Sequence, residues 1–309
     1  MRHIGDDRLP HDRGFMLWRM NKPTPQLLQS IDTWSEALLL DDDVTGPIKP
    51  QTEQAIFTII AKENGMIAGA EMVNRIIEKY SSEIDILWYV KDGEHAHKGQ
   101  EIVVIIGCKK TLLLLERALL NCLGQLSGIA TNTAAWVNES PIPLACTRKT
   151  IWGLLDKWAV HLGGGLTHRL SKKDACMIKE NDISSVGVEQ GVAIEQKINS
   201  ITRHQIAAFF TIEVRDISEA IIAARAWKGR EETQKCVIML DNFSPARALE
   251  THELLTAEGL RKYVLLEGSG GVEYSQLLEW GGKGVDVIST SLLNRSTTPL
   301  DLSMLVEGA

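Results

Sequence analysis

Six charged or polar residues each stand at or next to the end of a short apolar run. In chain order they are Arg148, Lys179, Glu213, Asp241, Glu267 and Ser289. Their successive spacings of 31, 34, 28, 26 and 22 residues are each long enough for one strand and one helix. Because the carboxyl ends of parallel strands converge on one face of an α/β barrel, we expect these side chains to meet at a site there.

The segment 148–179 is basic, although the whole chain carries a net charge of −7. It contains seven Lys or Arg residues against two acids, and such a local excess predicts a focused anion site. A solvated basic face is the alternative interpretation. That alternative suits Lys157, Lys172 and Lys173 better than Arg148 and Lys179, which directly follow apolar runs.

Two glycine clusters suggest close approach of the backbone to a ligand, since glycine tolerates positive φ. One is Gly163-Gly164-Gly165, and the other is Gly268-Ser269-Gly270-Gly271. The second follows a predicted strand and precedes a predicted helix, so its N–H groups could hold a phosphate at the helix N-terminus. Acids beside a phosphate usually bind Mg²⁺ or sugar hydroxyls. These features together predict a phosphorylated sugar and a second anion as ligands.

The elements that must position these residues alternate regularly after residue 140. The sequence predicts strands at 144–147, 175–178, 208–214, 236–240, 263–266 and 285–288, and helices at 151–162, 218–227 and 244–258. This alternation indicates a parallel barrel or a doubly wound sheet. The first part of the chain predicts a small α+β unit, with strands at 55–62, 85–90 and 102–106 and helices at 26–40 and 70–80. A helix over 111–139 follows, with possible breaks at Gly124 and Gly128.

Composition argues against several functional classes. Aromatic residues make up 6% of the chain and acids outnumber Lys and Arg, which does not favour nucleic-acid binding. The longest apolar runs fall short of the roughly 20 residues that span a bilayer, and the N-terminus lacks the apolar core of a signal peptide. Five Cys without a Cys-x-x-Cys pair indicate reduced thiols. We therefore expect a cytoplasmic protein of about two domains, with no membrane and no nucleic-acid partner.

Ordered motifs along the chain resemble the quinolinate phosphoribosyltransferase family. They are Glu116-Arg117-Ala118-Leu119-Leu120-Asn121, Leu126-Ser127-Gly128-Ile129-Ala130-Thr131, Thr147-Arg148-Lys149-Thr150, the 163–165 glycines with His168-Arg169-Leu170, Ile178-Lys179-Glu180-Asn181, Glu213-Val214, Leu240-Asp241-Asn242 and Glu267-Gly268-Ser269-Gly270-Gly271. Shorter similarities lie at 41–45 and 90–93. The resemblance covers roughly residues 26–305. It implies transfer of phosphoribosyl from phosphoribosyl pyrophosphate to quinolinate with Mg²⁺, which releases nicotinate mononucleotide, pyrophosphate and CO₂ in NAD biosynthesis.

The resemblance also implies an architecture. It implies an α/β fold with an N-terminal α/β sandwich domain over 14–125 and a TIM-like incomplete α/β barrel over 126–295. The C-terminal segment 296–309 is expected to pack back on the first domain. Members of the family form homodimers or hexamers of dimers, in which the N-terminal domain of one subunit covers the barrel mouth of the other.

Site roles carried over from the family concern twelve residues. Those similar to the family's quinolinate-binding residues are Arg148, His168, Arg169, Lys179 and, reaching the pocket across the subunit interface, Arg117. Lys149 resembles a lysine that serves both substrates, and Glu213 and Asp241 resemble acids near the ribose and the metal. Ser269, Gly270, Thr290 and Ser291 resemble the loops that bind the 5′-phosphate.

The chain departs from the family pattern at several positions. Arg215 replaces an acid, Asp182 replaces a histidine, Trp152 replaces a proline, and Ser291 and Arg295 fall in an altered last loop. Two alternatives therefore stay open. One is a related transferase for another base, such as the molybdenum-associated paralogue or a nicotinate-using enzyme. The other is a non-enzymatic ligand-binding protein on the same fold.

Charge on the predicted ligands bears on both alternatives. A base with a single carboxylate would leave part of the Arg148, Arg169 and Lys179 set redundant, so the full set favours quinolinate. A protein without catalysis would not need Lys149 together with Glu213 and Asp241. The sequence therefore favours a decarboxylating pentosyltransferase.

Overall fold

A computed structural model describes residues 8–41, 44, 53–80, 84–184 and 189–307. The chain divides into two compact units. One, here called the sheet unit, comprises residues 14–135, 149–165 and 292–309. The other, the barrel unit, comprises residues 1–13, 136–148 and 166–291. Of the motif at 41–45 that resembles the family, residues 42, 43 and 45 lie outside the described residues.

The strands in chain order are β1 (Trp18–Arg19), β2 (Lys22–Pro23), β3 (Gln54–Ala61), β4 (Gly65–Met66), β5 (Asp85–Trp88), β6 (His95–Ala96), β7 (Glu101–Cys108), β8 (Leu144–Cys146), β9 (Cys176–Ile178), β10 (Phe210–Val214), β11 (Cys236–Asp241), β12 (Val264–Ser269), β13 (Val287–Thr290) and β14 (Leu302–Val306). The α-helices are α1 (Pro25–Asp41), α2 (Ala70–Tyr80), α3 (Lys109–Glu139), α4 (Leu154–Leu162), α5 (Glu180–Ser184), α6 (Gln190–Ser200), α7 (Arg203–Ile206), α8 (Ile217–Gly229), α9 (Pro245–Ala257) and α10 (Leu292–Arg295). Three 3₁₀-helices cover Gly14–Met16, Arg261–Tyr263 and Tyr274–Trp280.

The sheet unit is built on a four-stranded antiparallel sheet in the order β14-β3-β7-β5. β3 and β7 pair over most of their length, from Gln54↔Cys108 to Ile60↔Glu101, with an irregularity near Ile59. The C-terminal strand β14, which no pattern in the sequence indicated, pairs with β3. Helix α2 begins at Ala70 as predicted and buries Val73 and Ile76.

Helix α3 runs unbroken for 31 residues, so the predicted breaks at Gly124 and Gly128 are wrong. A Cβ on Gly128 would lie 2.1 Å from the carbonyl oxygen of Thr298, and one on Gly124 would lie 3.0 Å from that of Leu300. The two glycines therefore allow the chain at 298–300 to lie against the helix. By length and composition α3 is also the one described helix able to span a bilayer, but 61% of its apolar window is buried within the protein.

The barrel unit contains a parallel sheet in the order β8-β13-β12-β11-β10-β9. Strands consecutive in sequence from β9 to β13 are neighbours, and β13 then pairs with β8, the first of the set. A doubly wound sheet would instead reverse its strand order at a switch point. An added parallel bridge joins Ala145 to Leu166 beyond the β8 edge. The predicted α/β class, with an N-terminal sheet domain and an incomplete TIM-like barrel, is therefore confirmed.

Candidate active site

The parallel register sets which inward-facing residues share a level. Glu213 and Glu267 both pair with Met239 of the strand between them, so the two acids lie at one level of the sheet. Asp241 pairs with Ser269, two residues further toward the carboxyl ends. Residues two apart on a strand point to the same face. The register thus aligns three of the predicted strand-end residues on one face of the sheet.

Glu267 differs from the expectation that it stands at a strand end. β12 continues to Ser269, because its backbone keeps pairing with β11 as far as Asp241. Glu267 therefore lies inside the strand, and its side chain is fully buried. Its two carboxylate oxygens contact two histidine rings, His11 Nε2 at 3.0 Å and His168 Nε2 at 3.2 Å.

The tautomer of His168 follows from its second ring nitrogen. Nδ1 accepts a hydrogen bond of 2.7 Å from the backbone N–H of Arg169. A neutral ring carries one proton, so that proton is on Nε2, which donates to Glu267. Both ring nitrogens of His168 are thus engaged within the barrel unit. Its predicted contact with a substrate carboxylate stays a prediction.

Arg148 and Arg169 lie within electrostatic reach of each other. The pKa of Arg169 lies below its ordinary value. Burial is the larger cause, and the positive charge of Arg148 acts in the same direction. Arg169 is 8% exposed and donates to the carbonyl of Ala175 at 3.0 Å and to the sulfur of Met177 at 3.3 Å. Arg148 is exposed and forms no ion pair with a residue in the described parts of the chain. Two neighbouring cations of this kind suit a dianionic ligand.

Lys179 is paired with an acid of the neighbouring strand. Its ammonium group forms an ion pair with Glu213, and its backbone N–H donates to the carboxylate of Asp182 at 2.9 Å. Arg215 forms a two-pronged ion pair with Glu180. Two departures from the family pattern, Asp182 and Arg215, therefore have partners close to the end of β9 or just after it.

The second glycine cluster forms a turn braced against the neighbouring strand end. Gly270 has φ of 87°, and a Cβ there would lie 2.4 Å from Oδ1 of Asn242. The N–H of Asn242 donates to the carbonyl of Ser269 at 2.9 Å. Asn242 directly follows β11 and contacts this turn, and the sequence alone assigned it no role. Glycine is required here both by the positive φ and by the close approach.

The helix expected directly after this cluster is a 3₁₀-helix, Tyr274–Trp280, and it starts three residues after Gly271. Glu273 and Gln276 form a reciprocal capping box at its start. The prediction of a helix N-terminus at the glycine loop is therefore wrong, although the turn itself is present. Thr290 is buried at the end of β13, and Ser291 follows it half-buried.

The first glycine cluster lies in the sheet unit, where its neighbours are protein atoms. A Cβ on Gly163 would lie 2.5 Å from the carbonyl oxygen of Ala130, and one on Gly165 would lie 2.7 Å from Cγ1 of Val160. The close approach inferred from this triplet is therefore contact with helices α3 and α4. Lys157 of α4 is 2% exposed, so the alternative interpretation of a solvated basic face does not hold for this residue.

Arg117 and Lys149, the two remaining predicted residues, also belong to the sheet unit. Arg117 is exposed on α3 and lines a cavity of about 440 Å³ together with Trp152 and Asp301. The carbonyl of Lys149 accepts a 3.0 Å hydrogen bond from the side-chain amide of Asn294.

The backbone next to Lys149 is fixed by a buried acid. Asp156 accepts from the same Asn294 amide at 3.0 Å and from the N–H groups of Ile151 and Trp152 at 2.8 and 3.1 Å. These bonds hold the loop that carries Lys149.

Divalent metal could be held by the half-buried acids Glu213 and Asp241. Mg²⁺ in proteins keeps several waters and takes one or two carboxylates plus substrate phosphates. Asp241 accepts from the side chain of Asn242 at 3.1 Å, and Glu213 from Lys179. Each acid has further oxygen lone pairs to offer. The donor set therefore fits a metal bound mainly through water and substrate.

Two family models match this chain. The model of the quinolinate phosphoribosyl transferase N-terminal domain matches residues 35–127, and that of the C-terminal domain matches residues 129–305. The chain belongs to the quinolinate phosphoribosyltransferase family. The membership inferred from the ordered motifs is thus confirmed.

Named relatives and solved structures of the family cover most of the chain. A probable nicotinate-nucleotide pyrophosphorylase (carboxylating) of Methanothermobacter thermautotrophicus is 33% identical over 87% of this chain and 94% of its own length. A chloroplastic nicotinate-nucleotide pyrophosphorylase (carboxylating) of Oryza sativa is 32% identical over 84% of this chain and 71% of its own length. The crystal structure of NadC from Streptococcus pyogenes superposes with a TM-score of 0.78 and 31% identity. The superposition covers 92% of this chain and 97% of that chain.

Proposed function

We propose that this chain is a decarboxylating quinolinate phosphoribosyltransferase of NAD biosynthesis. It joins quinolinate to phosphoribosyl pyrophosphate and releases nicotinate mononucleotide, pyrophosphate and CO₂. The observation that carries the proposal is that Arg148 and Arg169 lie within electrostatic reach of each other in a family member, since two guanidinium groups in one region suit a ligand with two carboxylates. The names of the relatives support the same reaction.

The residues divide the work as follows. Arg148, Arg169 and Lys179 hold the two carboxylates, with Arg117 of a second subunit and His168 beside them, and Lys149 serves both substrates. Ser269, Gly270, Thr290 and Ser291 hold the 5′-phosphate. The quinolinate nitrogen is already nucleophilic, so the protein's main contribution to bond formation is to orient it against the ribose carbon.

Carboxylates near the ribose act on the charge that develops during transfer. Ribosyl transfer passes through an oxocarbenium-like state, which Glu213 and Asp241 stabilise electrostatically. The same two acids would hold Mg²⁺, which supplies charge neutralisation of the pyrophosphate leaving group when bound. After transfer the ring nitrogen is cationic, and this charge stabilises the electron pair left on the ring carbon when CO₂ departs. That carbon then takes up a proton from water, which gives nicotinate mononucleotide.

A homodimer or a hexamer of dimers fits the exposed position of Arg117 on α3. Leu113 and Leu114 on the same helix are 47% and 42% exposed, and such apolar side chains favour an interface. Mixing Arg117→Ala chains with Lys149→Ala chains should restore activity that neither variant has alone, and a fully active monomer would contradict the proposed oligomer.

We also propose a cytoplasmic location without nucleic-acid or membrane partners, although the rice relative is named chloroplastic.

Product analysis tests the reaction directly. Purified protein with quinolinate, phosphoribosyl pyrophosphate and Mg²⁺ should form nicotinate mononucleotide and CO₂ in equal amounts, and excess chelator should abolish turnover. Nicotinate in place of quinolinate should react much more slowly, because it offers one carboxylate to the arginine pair. Equal or faster turnover of nicotinate would contradict the assignment of quinolinate as the substrate. Turnover unaffected by chelator would exclude the role of Mg²⁺.

A further inference from the structure

The described N-terminal residues 8–13, here called the strap, lie before residue 35, where the family models begin to match. The strap belongs to the barrel unit. It makes a short turn, in which the N–H of Asp12 donates to the carbonyl of Leu9 at 3.0 Å. Its central residue, His11, is fully buried, with its ring centroid 4.9 Å from that of His168 and 5.1 Å from that of Phe209.

His11 reaches the Arg169 loop, residues 167–174, through one carboxylate. Glu267 accepts from Nε2 of His11 at 3.0 Å and contacts Nε2 of His168 at 3.2 Å. His168 has φ of 51° and accepts from the N–H of Arg169 through Nδ1. An unbroken chain of hydrogen bonds thus runs from the strap to the backbone of Arg169.

Arg13 ties the strap to both ends of the same loop. Its guanidinium pairs with Asp174 at 2.9 and 3.2 Å, and its backbone N–H donates to Oγ1 of Thr167 at 3.0 Å. Asp174 in turn accepts from the N–H of Leu170 at 2.8 Å. The loop that carries Arg169 is therefore held from its first residue, its middle and its last residue.

A metal centre is the competing explanation for the buried histidines. The atoms of His11, His168 and Glu267 that could ligate an ion all lie within 4.8 Å of one another. A metal ligand needs an unprotonated ring nitrogen. Nδ1 of His168 is used as an acceptor, so the proton sits on Nε2, the nitrogen that would face the ion. The hydrogen-bond geometry therefore favours a structural network over a metal site.

We propose that the strap is a positioning element for the dicarboxylate site, with His11 acting through Glu267 and Arg13 acting through Asp174. Long-range bonds to a loop restrict the directions in which its side chains can point. Arg169 then enters the site already oriented, and binding need not order it. This inference rests on the proposed function only for the identity of the ligand.

His11 can be tested with a pair of variants. His11→Phe keeps a planar aromatic ring, somewhat larger than imidazole, and removes the donor to Glu267, whereas in His11→Gln the side-chain amide can replace Nε2–H. The KM and the directly titrated Kd for quinolinate should rise at least tenfold in His11→Phe and recover to within about threefold in His11→Gln. The KM for phosphoribosyl pyrophosphate should change less than threefold in both.

Arg13→Met tests the second attachment, and Arg225→Met is its control. Arg225 forms a comparable two-nitrogen contact with Glu258 in the same unit, at 3.0 and 2.7 Å. Arg13→Met should weaken quinolinate binding at least fivefold, and Arg225→Met should leave it unchanged. If His11→Phe does not fold, this pair of variants and His11→Gln still decide the question.

Hydrogen exchange separates the inference from the choice of substrate. Exchange at the amides of Arg169 and Leu170 should accelerate at least tenfold in Arg13→Met and His11→Phe, even if the wild-type protein fails to bind quinolinate. Lower melting temperatures without faster exchange there, or equal losses for both substrates, would overturn the positioning role. Stoichiometric Zn²⁺ or another divalent ion that purifies with the wild-type protein and is lost in His11→Phe would establish the metal centre instead.

Discussion

Glu267 in the barrel unit and Asp92 in the sheet unit are both carboxyl groups withdrawn from water, but their partners differ in kind. Glu267 is fully buried and is satisfied by the side chains of His11 and His168. Asp92 is half-buried and accepts hydrogen bonds of 2.6, 2.9 and 3.1 Å from the backbone N–H groups at the start of α2, those of Gly69, Ala70 and Glu71.

The different partners shift the two pKa values in opposite directions. Burial raises the pKa of Glu267, but electrostatic attraction to His168 and the hydrogen bonds from both imidazoles hold it below its usual value. Burial raises the pKa of Asp92 to about 6, although the backbone N–H groups act in the other direction. One acid links distant side chains around the site, and the other stabilises its own neighbourhood. We therefore expect changes at Glu267 to impair function and changes at Asp92 to impair stability alone.

Replacing Glu267 should have the largest effect on stability. Glu267→Gln keeps the shape but leaves one imidazole N–H facing an amide NH₂, so a buried donor loses its partner. We expect the free energy of unfolding to fall by about 1–3 kcal/mol, the cost of leaving a buried hydrogen-bond donor without a partner. Urea unfolding and quinolinate kinetics would measure both losses. Glu250→Gln, at an exposed acid of α9, is the control, and equal behaviour of the two variants would contradict the structural role.

Arg169→Ala should act on binding more than on folding. Removal of one cation leaves a carboxylate poorly paired, which should cost about 2–5 kcal/mol of quinolinate binding. The affinity for phosphoribosyl pyrophosphate should change much less. Arg148→Lys should also weaken quinolinate, because an ammonium group cannot reproduce a planar two-pronged contact. Separate titrations of each substrate decide, and an equal, salt-dependent loss of both would indicate only a diffuse positive field.

Asp92→Ala should lower stability without a specific effect on the site. Loss of a side chain that accepts from the first N–H groups of a helix costs about 0.5–2 kcal/mol. Thermal unfolding should show the loss, whereas the KM for quinolinate at 25 °C should stay within about twofold of the wild type. A selective rise of that KM would remove the contrast with Glu267.

The smallest effect concerns pH. The pKa of Asp92 is about 6 in the folded protein, against about 3.9 in an unfolded chain. Between these values the folded state binds more protons, so this group's contribution to stability is complete below pH 4 and declines as the pH rises to about 6. Asp92→Asn should abolish that decline in urea titrations between pH 4 and 7. A contribution that grows with pH would mean that the three N–H groups outweigh burial.

The pattern of apolar runs was enough to predict much of the barrel unit. The strands predicted at 144–147 and 236–240 occur as β8 and β11, and the helix predicted at 244–258 occurs as α9. Helix α6 was missed because its apolar face consists mainly of Ala193, Ile194 and Ile198, too few to give a clear period. Strand β14 was missed because its pairing with β3 joins residues about 250 positions apart.

The sequence by itself determined which chemical groups the chain brings to the ends of its parallel strands. The alternation of strands and helices requires those ends to share a face, so Glu213, Asp241 and Lys179 could be named without coordinates. Arg148 and Arg169 came from the same basic segment. The matches to the family models confirm that the chain belongs to the family. The roles of the individual residues stay predictions.

Only the tertiary structure decided how the polar groups are satisfied. Glu267 has its partners 256 and 99 residues away, in His11 and His168, and no spacing rule connects such positions. In the same way, the glycine spacing at 163 and 165 predicts a ligand loop, whereas in the fold these glycines pack against helices α3 and α4. The periodicity of a sequence reports which side of an element is buried, but hydrogen bonding depends on distances between atoms that only the folded chain brings together.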